Sequence, residues 1–335
     1  MEPLRVAVIG AGRHARGHFE MIANEPRVQL ECIAELDESR LDKSAAKHKP
    51  KAVYTDYRKM FDERRIDIVY AITMPGHLKP IVIESLQRGI NVSVEKSPGL
   101  TPEDTQQMAD AEKKSTGKAI VSFNRRYFPE VLAVRKMVRD RGGAVHVSAT
   151  YNKTLQSTYL SAQASGIVPD AIVGDAIHHV DLIRWLAGSS HETGAKPIEV
   201  YSEVSTGSRN GSYRRSAVVR FDTGVMGTLM SHYAVGFRIQ RAEIHAEDFS
   251  AYLDMTSGRD VEMYEAVHDA DGSLVGTEIK DPIDLDTVGG VNFNETTHFV
   301  DCILNNTTPW SNLDDAVITM RLCEAIRTGH KGILE

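Results

Sequence analysis

Apolar and polar positions alternate with two different rhythms along this chain, and the rhythm changes near residue 124. Before that point, short and nearly unbroken apolar runs alternate with helical stretches. Leu4 to Ile9 is one such run, followed by a helical stretch from about His14 to Ala23, a second run from Val28 to Ala34 and a second helical stretch from Ser39 to His48. Strands that are apolar on both faces belong to parallel sheets with helices on each side, so the pattern predicts βαβ units. It continues with strands at Ile66 to Thr73, Asn91 to Glu95 and Ala119 to Phe123. A helix from Lys79 to Arg88 stops at Gly89, and Thr101-Pro102-Glu103-Asp104 opens another with an N-cap and a proline in its first turn.

After residue 124 the segments lengthen and alternate singly: Ala144 to Tyr151, Tyr213 to Phe221, Val225 to Tyr233 and Arg238 to His245. These predict antiparallel strands with one face covered. Asp222-Thr223-Gly224 reads as a hairpin turn, and Asn210-Gly211 and Asp269 to Gly272 as further turns. Helices are predicted at Gly174 to Ala187, Asn292 to Asn305 and Leu313 to Thr328. The expected fold class is α/β plus α+β. A doubly wound parallel sheet occupies residues 1–124, and residues 125–335 carry a large open, mostly antiparallel sheet. A length of 335 residues suits two domains.

Composition narrows the partners. With 41% hydrophobic and 25% charged residues the chain is an ordinary folded protein. Its net charge is -7 with a pI near 6.0, and no Lys and Arg cluster follows a phosphate backbone, so nucleic acid is not an expected partner. Cys32, Cys302 and Cys323 lie far apart and show no zinc or disulfide spacing, which fits a reducing compartment. No apolar run reaches the roughly eighteen residues of a membrane helix, and the N-terminus lacks the pattern of a secretory leader. A cytoplasmic chain without membrane contact is expected.

The first chemistry is a glycine motif. Gly10-Ala11-Gly12-Arg13-His14-Ala15 matches G-x-G-x-x-A directly after a predicted strand and at the opening of a helix. Gly10 permits the tight turn, Gly12 lets the backbone approach a pyrophosphate, and Ala15 permits close helix packing. The helix N-terminus then faces the anion. An acidic residue is expected about 20 residues further on, where Glu35 stands, with Asp37 close behind. Its carboxylate would accept hydrogen bonds from a ribose hydroxyl and repel a 2′-phosphate. This Rossmann site therefore favours NAD, and Arg40 nearby leaves NADP possible.

A second signature, Glu95-Lys96-Ser97-Pro98, ends a predicted strand and is followed by Phe123-Asn124-Arg125-Arg126-Tyr127. With these residues the chain resembles the glucose-fructose oxidoreductase, inositol dehydrogenase and MocA (Gfo/Idh/MocA) family, whose usual pattern is E-K-P and then a stretch such as F-N-R-R. The resemblance extends over nearly the whole chain, through Gly174-Asp175-Ala176-Ile177-His178-His179-Val180-Asp181 and Leu313-Asp314-Asp315-Ala316. It implies that Lys96 transfers a proton or stabilises an alkoxide beside a nicotinamide, and that Glu95 contacts the cofactor. It also implies that Thr73-Met74-Pro75 and His77 form the loop over the cofactor. Ser97 stands where the family usually has proline. Lys96 also has a physical rationale of its own, because oxidation of a secondary alcohol requires the hydroxyl proton to leave as the carbonyl forms.

On the predicted helix, Asp175 and His178 lie three residues apart and Leu182 continues their face, while Ile177, Val180 and Ile183 supply an apolar stripe. By the family's H-x-x-D phrase, His178 matches the catalytic histidine, working with Lys96. Many members carry an Asp four residues before it, where this chain has Gly174, so Asp175 is the residue expected to orient the ring. His179 is the rival, since Asp175 to His179 has the four-residue spacing. The cluster of Asp175, His178, His179 and Asp181 lacks the ligand spacing of a metal site, and no metal is expected. Asn124, Arg126, Asn152, His179 and Arg238 are candidates for substrate hydroxyls, with His245 beside them. The expected activity is hydride transfer between a nicotinamide and a secondary hydroxyl of a small-molecule sugar, cyclitol or polyol. An NAD-dependent glycoside hydrolase of the same family and a catalytically silent nucleotide-binding regulator are the alternatives. The resemblance also implies a homodimer or homotetramer.

Overall fold

Six parallel strands form the first sheet in the computed structural model, which describes residues 2–154, 157–190, 192–208, 212–280, 283–290 and 292–334. They are β1 (Leu4–Ile9), β2 (Val28–Ala34), β3 (Ala52–Tyr54), β4 (Ile68–Ala71), β5 (Asn91–Val94) and β6 (Ala119–Val121), in the order β3-β2-β1-β4-β5-β6. Helices α1 (Ala15–Asn24), α2 (Glu38–His48), α3 (Tyr57–Glu63), α4 (Pro75–Gln87) and α5 (Pro102–Glu112) connect successive strands. Val6, Ala7, Val8, Ile68, Val69, Val92 and Val94 are wholly buried, so both faces of the central strands are covered, as their unbroken apolar runs predict. Asp37 and Thr101 accept backbone N–H groups at the starts of α2 and α5. The short strand β3 and helix α3 were not legible, because three half-exposed positions carry no periodicity.

The second sheet has nine strands among the described residues. Its elements, with the helices around it, are α6 (Pro129–Asp140), β7 (His146–Asn152), α7 (Ser157–Ala164), α8 (Ala171–Gly174) and α9 (Ile177–Ala187), then β8 (Pro197–Thr206) and β9 (Tyr213–Phe221). There follow β10 (Met226–His232), β11 (Ile239–Ala246), β12 (Phe249–Asp254), β13 (Asp260–His268), β14 (Leu274–Glu278), α10 (Glu295–Leu304), α11 (Leu313–Thr328) and β15 (Lys331–Ile333). The order is β14-β13-β12-β11-β7-β10-β9-β8-β15, antiparallel throughout except for the parallel pair β7 and β10. Gly224 and Gly272 take positive φ in the turns joining β9 to β10 and β13 to β14, where the sequence predicts a hairpin at the first and a turn at the second. The turn expected at Asn210-Gly211 lies outside the described residues.

By contact the chain divides into two units, residues 1–122, 166–169 and 294–317 in the first, and residues 123–165, 170–293 and 318–335 in the second. The single cut expected after residue 124 lies beside the first break, and two later segments return to the first unit.

The helix expected over Gly174 to Ala187 is interrupted at Asp175, whose φ of -138° and ψ of -56° end α8 before α9 begins. All eleven residues of α9 are buried, which corrects the expectation of one wet face. The helix lies under β7, β10 and β11, and its charged residues Asp181 and Arg184 find partners inside. Arg126 donates from Nε to Asp181 Oδ2 at 2.7 Å and from Nη2 to Oδ1 at 2.5 Å, with neither side chain exposed. The Thr319 hydroxyl donates to Asp181 at 2.9 Å, and Arg184 donates to Thr319 and, at 3.1 Å, to the Ala195 carbonyl. The Arg126 guanidinium also lies 4.8 Å from the centre of the Trp185 ring. Breaking a fully buried pair strands the remaining charge. Asp181→Asn is therefore expected to cost about 3–5 kcal/mol in urea denaturation, with an Arg126→Met, Asp181→Leu double variant recovering most of the loss.

Candidate active site

In the first unit the chain leaves β1 through Gly10, whose φ is +96° and whose added Cβ would stand 2.1 Å from the Ile72 carbonyl oxygen. Only glycine fits there. Gly12 is exposed, and an added Cβ would meet nothing within 4 Å, so the space over its backbone is open to an approaching ligand. Arg13 and His14 are exposed beside it, and α1 starts at the buried Ala15 with no side chain capping its N-terminus. The Ala15 and Arg16 N–H groups turn back to the Gly12 and Arg13 carbonyls at 3.1 and 3.4 Å, and no side chain occupies the positive end of the helix dipole.

Glu35 follows β2 directly. Its Oε2 accepts the Ala11 N–H at 2.8 Å, and its Oε1 accepts the Asp37 N–H and the Arg40 guanidinium, both at 3.0 Å. Burial works to raise its pKa, but the two amides and Arg40 outweigh it and hold the carboxyl below its ordinary range. The carboxylate that would hold a ribose is thereby charged and fixed to the glycine turn itself. An open glycine cradle, an uncapped helix start and this anchored carboxylate together fit a dinucleotide.

Thr73 and Met74 lie after β4, Pro75 is the buried first residue of α4, and His77 is exposed two residues on. Beneath Glu95 the structure assembles a cluster that the sequence did not announce. His18 Nε2 is 3.4 Å from Glu95 Oε1 and its Nδ1 is 3.6 Å from Glu295 Oε1, while the Ser122 hydroxyl donates to Glu295 at 2.8 Å. Burial disfavours the His18 cation, yet the Glu95 hydrogen bond and the Glu295 charge more than offset it, so its pKa lies above the usual value. Burial likewise raises the Glu295 carboxyl. For Glu95 burial is outweighed by the His18 hydrogen bond and the Lys96 charge, which keep it ionised. Lys96 itself is partly exposed. His18 was discoverable as a polar residue on the buried face of α1 with Ala15, Phe19 and Ile22. Glu295 was not, because its partner lies in a distant part of the chain.

The second unit brings Asp175, His179, Tyr151 and Lys153 together. The Tyr151 hydroxyl donates to Asp175 at 2.7 Å and Lys153 Nζ lies 2.5 Å from the other carboxylate oxygen. His178 is 8% exposed, whereas His179 is wholly buried, edge-on to Tyr151 at 5.0 Å, with no hydrogen-bond partner at either ring nitrogen. Burial, reinforced by Arg125 and Arg238, pushes the His179 pKa down to about 3. Arg126 is enclosed with Asp181, which corrects its assignment to substrate. Arg125 is the partly open member of the pair. No sequence signal distinguishes two adjacent arginines of this kind. Asn124 Oδ1 accepts from Arg125 at 3.2 Å, and Asn152 Oδ1 accepts the His232 N–H at 3.1 Å. Arg238 is exposed just before β11, and its charge reaches His179. His245 is bonded to Ser250 at 2.8 Å and lies five residues along β11 from Gln240, so it stands apart from this group. Among the described residues no set of three or more His, Cys, Asp or Glu side chains is placed to hold a metal ion.

Residues 4–123 match the model of an oxidoreductase family with an NAD-binding Rossmann fold. That family is Gfo/Idh/MocA. The chain is an NAD-dependent oxidoreductase. D-apiose dehydrogenase of Paraburkholderia graminis is 22% identical over 334 residues, covering 95% of this chain and 85% of that protein. Glycosyl hydrolase family 109 protein 1 of Shewanella sp. (strain ANA-3) is 30% identical over 162 residues, 45% of this chain and 35% of that protein. The structure of levoglucosan dehydrogenase with NADH and L-sorbose superposes with a TM-score of 0.82 at 18% identity, over 98% of this chain and 97% of that one.

Two outcomes are expected. Glu35→Gln weakens NADH binding about tenfold and narrows the preference over NADPH, as read by fluorescence titration; an unchanged preference would remove Glu35 from cofactor choice. The second concerns His179, whose folded pKa of about 3 lies below its ordinary 6.5, so its contribution to stability is present above pH 6.5 and is lost as pH falls toward 3. Urea midpoints should fall between about pH 7.5 and about pH 5 in the native chain, and fall less in His179→Asn, because an ordinary histidine takes up its proton within that interval.

Proposed function

We propose that this enzyme reversibly oxidises a secondary hydroxyl of a sugar, cyclitol or sugar derivative. The observation that carries the reading is Lys96, placed directly after a buried Glu95 that stays ionised and in the loop following β5 of a dinucleotide-binding sheet. When bound, the nicotinamide accepts the hydride. We assign the accompanying proton transfer to Lys96 and His178. The Lys96 ammonium stabilises the negative charge that grows on the hydroxyl oxygen as its proton leaves, and the His178 imidazole receives that proton. The slight exposure of His178 supports it over His179, whose ring is wholly enclosed. Asp175, held by Tyr151 and Lys153, is the positioning carboxylate of this scheme.

The likeness to a family 109 glycosyl hydrolase favours a second reading, in which oxidation and re-reduction flank loss of a glycoside and no net redox change appears. We further place the enzyme in the cytoplasm, supported by three buried cysteines outside any disulfide. Tyr201, Val218, Met226, Met230 and Tyr252 are exposed on the sheet of the second unit and support a homodimer or homotetramer.

The test incubates the protein with NAD or NADP and a panel of polyols, sugars and nitrophenyl glycosides. Reduced cofactor is the expected product, and Lys96→Ala and His178→Gln each lower kcat about a hundredfold to ten-thousandfold. Release of nitrophenol without net reduction installs the hydrolase instead. Unchanged kcat in both variants overturns the assignment of the proton transfer.

A further inference from the structure

The second unit buries or half-buries several guanidinium groups, most of them held by a carboxylate or by main-chain carbonyls of the fold. Arg126 pairs with Asp181, and Arg215 pairs with Asp170 at 2.8 Å. Arg135 donates to the carbonyls of Trp185 and Ser190 at the end of α9, and Arg184 donates to Thr319 and Ala195. Arg125 differs. It donates from Nη2 to Gln240 Oε1 at 2.8 Å and from Nη1 to Asn124 Oδ1 at 3.2 Å, both neutral amide oxygens, and it lies 4.8 Å from the Phe128 ring centre. Its Nε is buried without a hydrogen-bond partner, and among the described residues no carboxylate stands within ion-pair distance. Burial pulls its pKa down to about 10, with the Arg238 charge adding to the effect, and the opposing influence of Tyr151 and Asp175 does not offset it.

The surroundings of Arg125 are donors. Gln240 is wholly buried, has its oxygen turned to Arg125, and leaves Nε2 without an acceptor. It pairs in register with Tyr151 across β11 and β7. His179, edge-on to Tyr151, adds two ring nitrogens without partners. Arg238 lies just before β11, two residues ahead of Gln240, and its charge acts on Arg125, Tyr151 and His179. The acid acting on this group among the described residues is Asp175, which Lys153 and Tyr151 already engage. The two arginines therefore place positive charge beside the buried Gln240 amide and the neutral His179 ring, opposed only by an Asp175 that is already engaged. A neutral polyol would satisfy the hydrogen bonds and leave the charge.

We propose that the substrate is an anionic sugar or cyclitol derivative whose carboxylate or phosphate is taken by Arg125 with the Gln240 amide, under the field of Arg238. The planar fork of Arg125 suits either oxyanion. This inference rests on the dehydrogenase reading for the reaction, but the anion site itself does not require it.

The experiment compares aldonates, uronates and sugar monophosphates with their neutral parent sugars, by cofactor reduction and by calorimetric binding to the NADH-loaded enzyme. The expected result is at least about tenfold tighter binding of one acid class than of its parent, with a preference that weakens as salt is raised. The class that shows it identifies carboxylate or phosphate as the bound group. Arg125→Gln should abolish the ratio between acid and parent, and Arg125→Lys should restore part of it by returning the charge without the fork. NADH titration serves as the folding control. Equal affinity for acid and parent, or a ratio that survives Arg125→Gln, overturns the proposal. If acids bind through Arg125 but no substrate reduces the cofactor, the anion site stands and the dehydrogenase reading falls. If neutral sugars are turned over in preference to acids, the anion site falls and the dehydrogenase reading stands.

Discussion

A guanidinium withdrawn from water has to find acceptors, and in the second unit this requirement fixes the backbone as firmly as apolar packing does. The Arg126 and Asp181 pair joins the 3₁₀ turn Asn124–Tyr127 to the middle of α9, and Thr319 ties α11 to the same carboxylate. Arg135 gathers the carbonyls that the end of α9 leaves over. Because α9 is held at its middle and at its end, its first turn, with His178 and His179, has little freedom beneath the sheet. The geometry of the histidines is thus a by-product of where charge is neutralised.

The first unit solves a related problem with acids. Glu35 and Glu95 are both kept ionised against burial, the one by backbone amides and Arg40, the other by His18 and Lys96. Glu295, which has a histidine and a hydroxyl but no fixed cation, is the one that burial raises. Three carboxyl groups in one unit thereby take different protonation tendencies from their immediate donors.

The parallel sheet and the glycine turn were legible because both rest on local rules, an apolar run in one case and the sterics of Gly10 in the other. The broad second sheet was legible at β9, where the alternation of Tyr213 to Phe221 matches the observed strand residue for residue. Strands β13 and β14 were hidden, because exposure of both faces erases the alternation. Among the candidate residues, those chosen by backbone logic, Gly10, Gly12 and Glu35, stand where expected. Those chosen by side-chain chemistry did less well. Arg126 and Arg125 are neighbours of the same type, and only the position of Asp181 decides which is enclosed. His18 and Glu295 meet through tertiary folding alone, which spacing along the chain does not encode.

The first unit is assembled from three stretches of chain, and its closing bonds join residues far apart in the sequence. Tyr70 donates to Thr296 at 3.0 Å, Ser122 to Glu295 at 2.8 Å, and the Val121 N–H to the Ser311 carbonyl at 2.8 Å. During synthesis, therefore, the six-stranded sheet emerges long before the segment that completes it, and Glu295 and Ser311 arrive only after most of the second unit has been made. A fragment ending at residue 124 would leave Tyr70, Val121 and Ser122 without the partners that Thr296, Ser311 and Glu295 supply.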